Sequence, residues 1–368
     1  MIRLPEPVML DAAEWRALSL LVDLARLIPV TDPAAGVVTI IPIEHPPFSG
    51  LQQWRGAGWG IVPGDGEVRL SRAALRCVDD VTSAARERRS TVRDRHGRVP
   101  SQDNALVAER LEREPLVSQA AAALRRAALS AAGRRPIRLV APWPDGRRWA
   151  VALTHDLDVV AGWPAFATLR IVELARKGRW RLASRAAIEA VSGVGRGPVY
   201  RGVQTLLAAE RAWSMRSTWF VLCGTPTWRS VAAGDLTYRP ESPATRAILR
   251  AVQDEGHAVG LHGSFATVSD PERFREQRRR LEGLIGHEIR GVRQHFLRFV
   301  PDRTPRAMRE GGFSYDSSWG FADRNGFRLG VADVVPLRED EPPQTPSLTE
   351  VPFAWMDRAL SKYRNVED

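Results

Sequence analysis

The segment "VALTHDLD" (151–158) runs from apolar residues into Thr154, His155, Asp156 and Asp158. A strand that ends in ionisable groups needs partners for them, because a buried carboxylate is costly unless it is paired or bound to a metal. Side chains alternate along a strand, so Thr154, Asp156 and Asp158 share one face and His155 takes the other. At ~3.3 Å per residue the two carboxylates lie about 7 Å apart along that face. Two uses are open. One aspartate could hold a metal while the other takes a proton from water, or the strand end could simply cap the helix that follows.

The histidines are informative by position. His45 and His96 come early, while His155, His257, His262, His287 and His295 lie in one later stretch and none follows. In "GHAVGLHGS", His257 and His262 are five residues apart and fall on opposite faces of a strand. His262 sits at the strand end and is the candidate ligand, whereas His257 is expected to hydrogen-bond locally. "RGVRQHFLRF" places Arg293 and His295 on a common face. Three of these histidines, His155, His262 and His295, fall at or near the C-terminal ends of expected strands, where βα architectures build their sites.

The elements that must position these groups follow from the apolar pattern. From Trp149 onward short apolar runs alternate with helical segments, which predicts βα units. The strands are expected in "WAVALTH", "RSTWFVLCG" (216–224), "HAVGLHGS" (257–264) and "IRGVRQHF" (289–296), with further strand ends in "GFSYDSSWGF" (312–321) and "SLTEVPFAW" (347–355). Helices are expected over 242–256 and 270–286, each opened by Ser or Asp and closed by glycine. Residues 1–140 read as a smaller α/β domain, with a strand at 36–43, an arginine-rich solvated loop at 86–98 and a helix over 116–133. The proline-rich stretch 134–148 marks the boundary with a second domain, 141–368.

Between the first two strands of that domain lies a basic helical insertion, 159–216, with ten Arg or Lys against three Glu. Besides a solvated face, its amphipathic part allows peripheral membrane contact or a grip on substrate.

The 368 residues are 44% hydrophobic and 26% charged, with a net charge of +10 and two cysteines, Cys77 and Cys223. Two distant cysteines exclude a disulfide framework and a cysteine-rich zinc site. The positive charge comes with no nucleic-acid-binding module, so nucleic acid is disfavoured as a partner. No transmembrane run and no secretory leader pattern are visible, and a cytoplasmic location is expected.

Four segments in order resemble the polysaccharide deacetylases, carbohydrate esterase family four. "LTHDLD" is similar to that family's threonine–aromatic–Asp–Asp–Gly motif, with His155 at the aromatic position. "RSTWFVLCG" resembles its Ala-Thr-Phe-Phe-Val strand, "EGHAVGLHGS" its Gly-His-Glu-Ile-Gly-x-His segment, and "GVRQHFLRF" with "MREGGFSYDSS" its arginine motif and the Tyr-Asp-Ser-Ser that follows. The resemblance covers roughly 149–357. It implies an α/β fold with a distorted (β/α) barrel, a divalent metal, usually zinc, and hydrolysis of N-acetyl groups on amino sugars. By position, Asp156 becomes the catalytic base, His262 a metal ligand and Arg293 the group that orients Asp156, with His155 and Asp316 in support.

Departures from the pattern matter equally. The family's metal-binding aspartate falls at Leu157, which cannot ligate, and its second ligand histidine falls at Ala266. Asp158 and His295 are the available substitutes, giving an expected Asp158, His262, His295 site, with an exchange of roles between Asp156 and Asp158 still open. The family's late strand with an acid histidine has no counterpart after His295. Either the chain is truncated and the barrel lacks its last strand, or His155 or His295 supplies the proton, or activity is impaired. An oxyanion is expected to meet the metal and backbone N–H groups near the second motif. The leading expectation is therefore a metal-dependent amide hydrolase acting on a carbohydrate precursor. A catalytically impaired carbohydrate-binding or assembly protein is the alternative.

Overall fold

The computed structural model describes residues 1–30, 38–135, 141–160, 163–192, 198–337 and 348–359. The expected strand residues 36 and 37 and part of the proline-rich boundary lie outside them. The chain divides into two compact units, one comprising Met1–Val151 with Ser317–Pro342 and Thr349–Asp368, the other Ala152–Asp316 with Pro343–Leu348.

The first unit contains β1 (Ile2–Arg3), β2 (Pro29–Val30), β3 (Val38–Ile43), β4 (Ile61–Pro63) and β5 (Glu67–Ser71) in one sheet of order β2-β1-β3-β5-β4. All pairs described are parallel except β4 with β5. Helix Ala12–Leu24 starts with a reciprocal capping box between Asp11 and Glu14. The Glu14 side chain is fully buried and is neutralised by Arg72 at 2.8 Å and Arg76 at 3.0 Å. Helix Leu116–Ala132 presents Leu116, Ala120, Leu124 and Ala127 to the core at helical spacing. Glu87 and Arg328 form a second buried pair, and Asn104 donates to Glu87 Oε1 at 2.7 Å. In the arginine-rich loop, Asp94 organises the turn, accepting from the backbone N–H groups of His96 and Arg98 at 2.8 and 3.0 Å.

The second unit carries the candidate site. Its strands are β6 (Leu153–Leu157), β7 (Ser217–Leu222), β8 (Ala258–Gly263), β9 (Gly291–Gln294) and β10 (Tyr315–Asp316). They run parallel in the order β10-β9-β8-β7-β6. Helices Pro243–Asp254, Pro271–Ile285 and Thr304–Glu310 make the crossovers after β7, β8 and β9. Ser242 and Asp270 cap the first two as expected, accepting from Thr245 N and from Glu272 and Arg273 N. Among its described residues the insertion forms three helices, Trp163–Arg176, Trp180–Ser192 and Pro198–Ala212. The remaining pair, β11 (Val335–Pro336) with β12 (Thr349–Glu350), is antiparallel and belongs to the first unit.

The α/β class with parallel strands therefore stands, but no closed barrel is present among the described residues. β6 pairs with β7 and stands at the edge of its sheet. The first strand also starts later than its apolar run suggests. Trp149 and Val151 are 73% and 62% exposed, so this run is not the buried strand the pattern implies. The strand instead begins at Leu153 and includes Asp156 and Leu157.

The centre of the sheet is packed around Phe220, which is fully buried beside Gly260. A Cβ at position 260 would stand 2.6 Å from the Phe220 ring, so glycine here is a packing requirement.

Candidate metal centre

Three side chains meet at the C-terminal ends of β6, β8 and β9. Asp158 follows β6, His262 is the penultimate residue of β8, and His295 follows β9. Asp158 Oδ1 lies 3.2 Å from His262 Nε2 and 3.6 Å from His295 Nε2. One ligand atom from each of the three lies within 4.8 Å of the others, and both histidines are buried. Register explains the convergence. His262 is aligned with Arg293 and Gly263 with Gln294, so the histidine of β8 and the residue just after β9 emerge at the same edge.

Each histidine has its other ring nitrogen fixed. His262 Nδ1 donates to the Arg293 carbonyl at 2.9 Å, so Nε2 is the ring nitrogen that faces Asp158. His295 Nδ1 is 3.0 Å from Asp235 Oδ1, which also accepts from Phe265 N–H at 2.8 Å. Metal-binding imidazoles are held in this way, with a carbonyl or carboxylate on the far nitrogen setting tautomer and orientation. Phe296 stacks on His295 at 3.9 Å, and both Phe296 and Leu297 adopt left-handed backbone conformations (φ 60° and 53°). Such conformations are unfavourable for residues with a Cβ and concentrate at functional sites. Here they turn the chain sharply after β9.

The donor set of one carboxylate oxygen and two imidazole nitrogens matches a three-ligand catalytic zinc site with an open position. Burial works against the charged form of His262, but Asp156 and Asp158 outweigh it and raise its pKa above the usual imidazole value. Two carboxylates around a buried imidazole thus create a place for positive charge. A divalent cation would fill it.

Asp156 stands beside the three and is held differently. Arg293 Nη1 donates to Asp156 Oδ1 and to Thr154 Oγ1, both at 2.9 Å, which places Thr154 and Asp156 on one face as strand alternation requires. The guanidinium itself is buried over the Phe220 ring at 4.6 Å. Asp156 Oδ2 lies 4.0 Å from His262 Nε2, farther than Asp158. The geometry thus separates the two aspartates: Asp158 belongs with the histidines, and Asp156 with the arginine. Leu157, between them, is buried.

His155 is not part of this cluster. It points away, with Nε2 2.9 Å from Glu210 Oε1 and its ring against Trp219 at 4.3 Å. Buried Glu210 also accepts from Ser217 Oγ at 2.9 Å, and Ser217 N–H donates to His257 Nδ1 at 3.1 Å. This network ties helix Pro198–Ala212 to β6 and β7, so His155 and His257 support packing. Asp316 is fully buried in β10, which pairs with β9.

Two of the backbone N–H groups near the second motif are not available for the expected oxyanion. The N–H groups of Ser264 and Phe265, which follow the second motif, are taken by Gln277 Oε1 and Asp235 Oδ1. They are satisfied within the fold and are not aimed at a ligand.

Nothing in the sequence pattern singles out the segment "GDLTY" (234–238). Asp235 holds His295, Thr237 Oγ1 donates to the Asp158 carbonyl, and Tyr238 Oη donates to the Leu157 carbonyl at 2.7 Å. Tyr238 Oη also accepts from Leu222 N–H at 3.0 Å, pinning the ends of β6 and β7 together. Its only sequence signal is position, in the loop after the C-terminal end of a strand.

Comparisons with known proteins add little weight to this geometry. No family model matches the chain, and no curated protein matches it. Among solved structures, the chain is similar to a candidate polysaccharide deacetylase from Mycobacterium smegmatis, with 22% identity and a TM-score of 0.35. The match covers 60% of this chain and 64% of that one, so the chain spans just under two thirds of that structure's length.

Proposed function

We propose that this protein is a divalent-metal-dependent amide hydrolase that removes N-acetyl groups from an amino sugar or polysaccharide precursor. The observation that carries the proposal is the meeting of Asp158, His262 and His295 beside an Asp156 held by buried Arg293. The order of the four motifs resembling the polysaccharide deacetylases supports the same reading. In that reading the second unit is a distorted barrel whose open edge lies at β6.

Asp158, His262 and His295 would hold the ion, with zinc the best match to their donor set. When bound, the cation supplies Lewis acidity that polarises an amide carbonyl and makes water a better nucleophile. Asp156 is the general base. Arg293 fixes Oδ1, leaving Oδ2 on the side of the histidines to accept a proton from the attacking water. The leaving amine needs a proton, and Asp156 can return the one it took, since His155 faces away and His295 is committed to the ion. Thr154 shares the Arg293 guanidinium and keeps it in register with Asp156. The two free cysteines support a reducing, cytoplasmic setting.

The test is release of acetate from N-acetylated hexosamine oligosaccharides by zinc-loaded protein. Asp156→Asn should lower the rate by about 10²–10⁴-fold, the usual worth of a general acid–base. An unchanged rate would overturn the assignment. Saturable oligosaccharide binding with no acetate release by the wild type would favour the non-catalytic reading, in which the departures from the family pattern have cost activity.

A further inference from the structure

The first two helices of the insertion form a hairpin with an unusual tip. Helices Trp163–Arg176 and Trp180–Ser192 are joined by Lys177–Arg179, with Gly178 left-handed at φ 69°. The turn is closed by Arg179 N–H to the Leu174 carbonyl at 2.9 Å and Lys177 N–H to the Glu173 carbonyl at 3.1 Å. Leu174 and Ala183 are buried, at 3% and 4% exposure. The side chains around the turn itself point to solvent: Arg176, Lys177, Arg179, Trp180, Arg181 and Leu182 are all exposed.

Two properties of this tip are hard to reconcile with a purely solvated surface. Trp180 is 69% exposed, Leu182 48% and Ile188 69%. At 100° per residue Ile188 lies about 80° around the helix from Trp180 and about 12 Å along it, while Leu182 lies about 160° from Trp180 on the first turn, so Trp180 is the apolar side chain that projects at the tip. Around it, residues 171–184 hold four cations and one acid, Glu173, which pairs with Lys177 at 2.6 Å. Tryptophan prefers the boundary between an apolar phase and water, and aliphatic side chains beside it gain by entering the acyl edge. Basic residues around such an anchor are attracted to anionic headgroups. RNA could use the cations and stack on Trp180, but it offers nothing to Leu182 and Ile188.

We propose that the tip of this hairpin docks on an anionic lipid bilayer, with Trp180 in the headgroup layer and Arg176, Arg179 and Arg181 against lipid phosphates. No described helix is long and apolar enough to cross a membrane, so the contact is peripheral. The inference is independent of whether the metal centre hydrolyses amides, because neither its residues nor its test involves that site.

The test is co-sedimentation of the full chain with vesicles of phosphatidylcholine, alone or mixed with phosphatidylglycerol. The wild type should bind the mixed vesicles, release them as salt is raised, and leave the neutral ones. Each cation at such a surface strengthens binding by about fivefold, so Arg179→Gln with Arg181→Gln should weaken it roughly 25-fold. Trp180→Ala should weaken binding, and Trp180→Phe should restore part of it. Circular dichroism and melting curves matching the wild type establish that these exposed substitutions leave the fold intact. Folded wild type that ignores anionic vesicles overturns the proposal, as do variants that bind like wild type. Binding to an RNA oligonucleotide but not to vesicles, lost in the same variants, would assign the tip to nucleic acid instead.

Discussion

Replacing Asp235 tests how the centre is built without touching a proposed ligand. Asp235 accepts from His295 Nδ1 at 3.0 Å and from Phe265 N–H at 2.8 Å, and it is 7% exposed. Asp235→Ala removes the carboxylate that orients His295 and leaves the Phe265 N–H without this acceptor. A hydrogen bond to a charged group contributes about 1.5–3 kcal/mol, which corresponds to roughly 10–100-fold in an equilibrium constant. Partners of metal-bound imidazoles independently show losses of about 10–100-fold in metal affinity when removed. The two estimates agree. Asp235→Asn keeps an acceptor oxygen but no charge, and should cost about half that free energy, about 3–10-fold. The assay is zinc competition against a chromophoric chelator, with melting curves in chelator to separate folding from binding. If folded Asp235→Ala binds zinc as tightly as wild type, then His295 is not positioned through Asp235.

Other consequences concern the pair beside the centre and the buried thiol. Arg293→Ala leaves Asp156 without its partner and uncovers Phe220. Because Asp156 is 27% exposed, the loss of stability should fall below the fully buried case, at roughly 2–3 kcal/mol, with activity falling even in the folded fraction. Denaturant titration and acetate release check this, and unaltered values for both would refute the assigned role of Arg293. Burial pushes the Cys223 thiol up to about 12 from an ordinary 9.0, against the pull of Arg280. Between those pH values the folded chain keeps the proton that the unfolded chain loses, so stability falls as pH rises, by about 1.4 kcal/mol per pH unit for this thiol. Unfolding at pH 8 and pH 10 should show a steeper loss in wild type than in Cys223→Ala, and equal slopes would contradict it.

Much of the site is legible in the sequence because it depends on local rules. Strand alternation places Thr154 and Asp156 together and turns His155 away, and both are observed through Arg293 and Glu210. The positions of His262 and His295 at strand ends follow from where apolar runs stop. Ser242 and Asp270 announce their helices by capping chemistry alone. What escapes the sequence is tertiary. Asp235 is an isolated acid in a loop, and only folding brings it to a histidine 60 residues away. Glu87 and Arg328 are 241 residues apart, and no local pattern links them. The N–H groups expected to receive an oxyanion are occupied by Gln277 and Asp235, which register and loop packing decide. Trp149 and Val151 show the opposite error, since apolar residues that read as strand remain at the surface.

One divalent ion is expected between Asp158, His262 and His295. Elemental analysis of protein equilibrated with zinc and freed of excess metal tests it directly. About one zinc per chain is expected, and it should be lost in a folded His262→Ala, His295→Ala double variant. Folded wild type that retains no metal, or a folded double variant that retains as much as wild type, would contradict it.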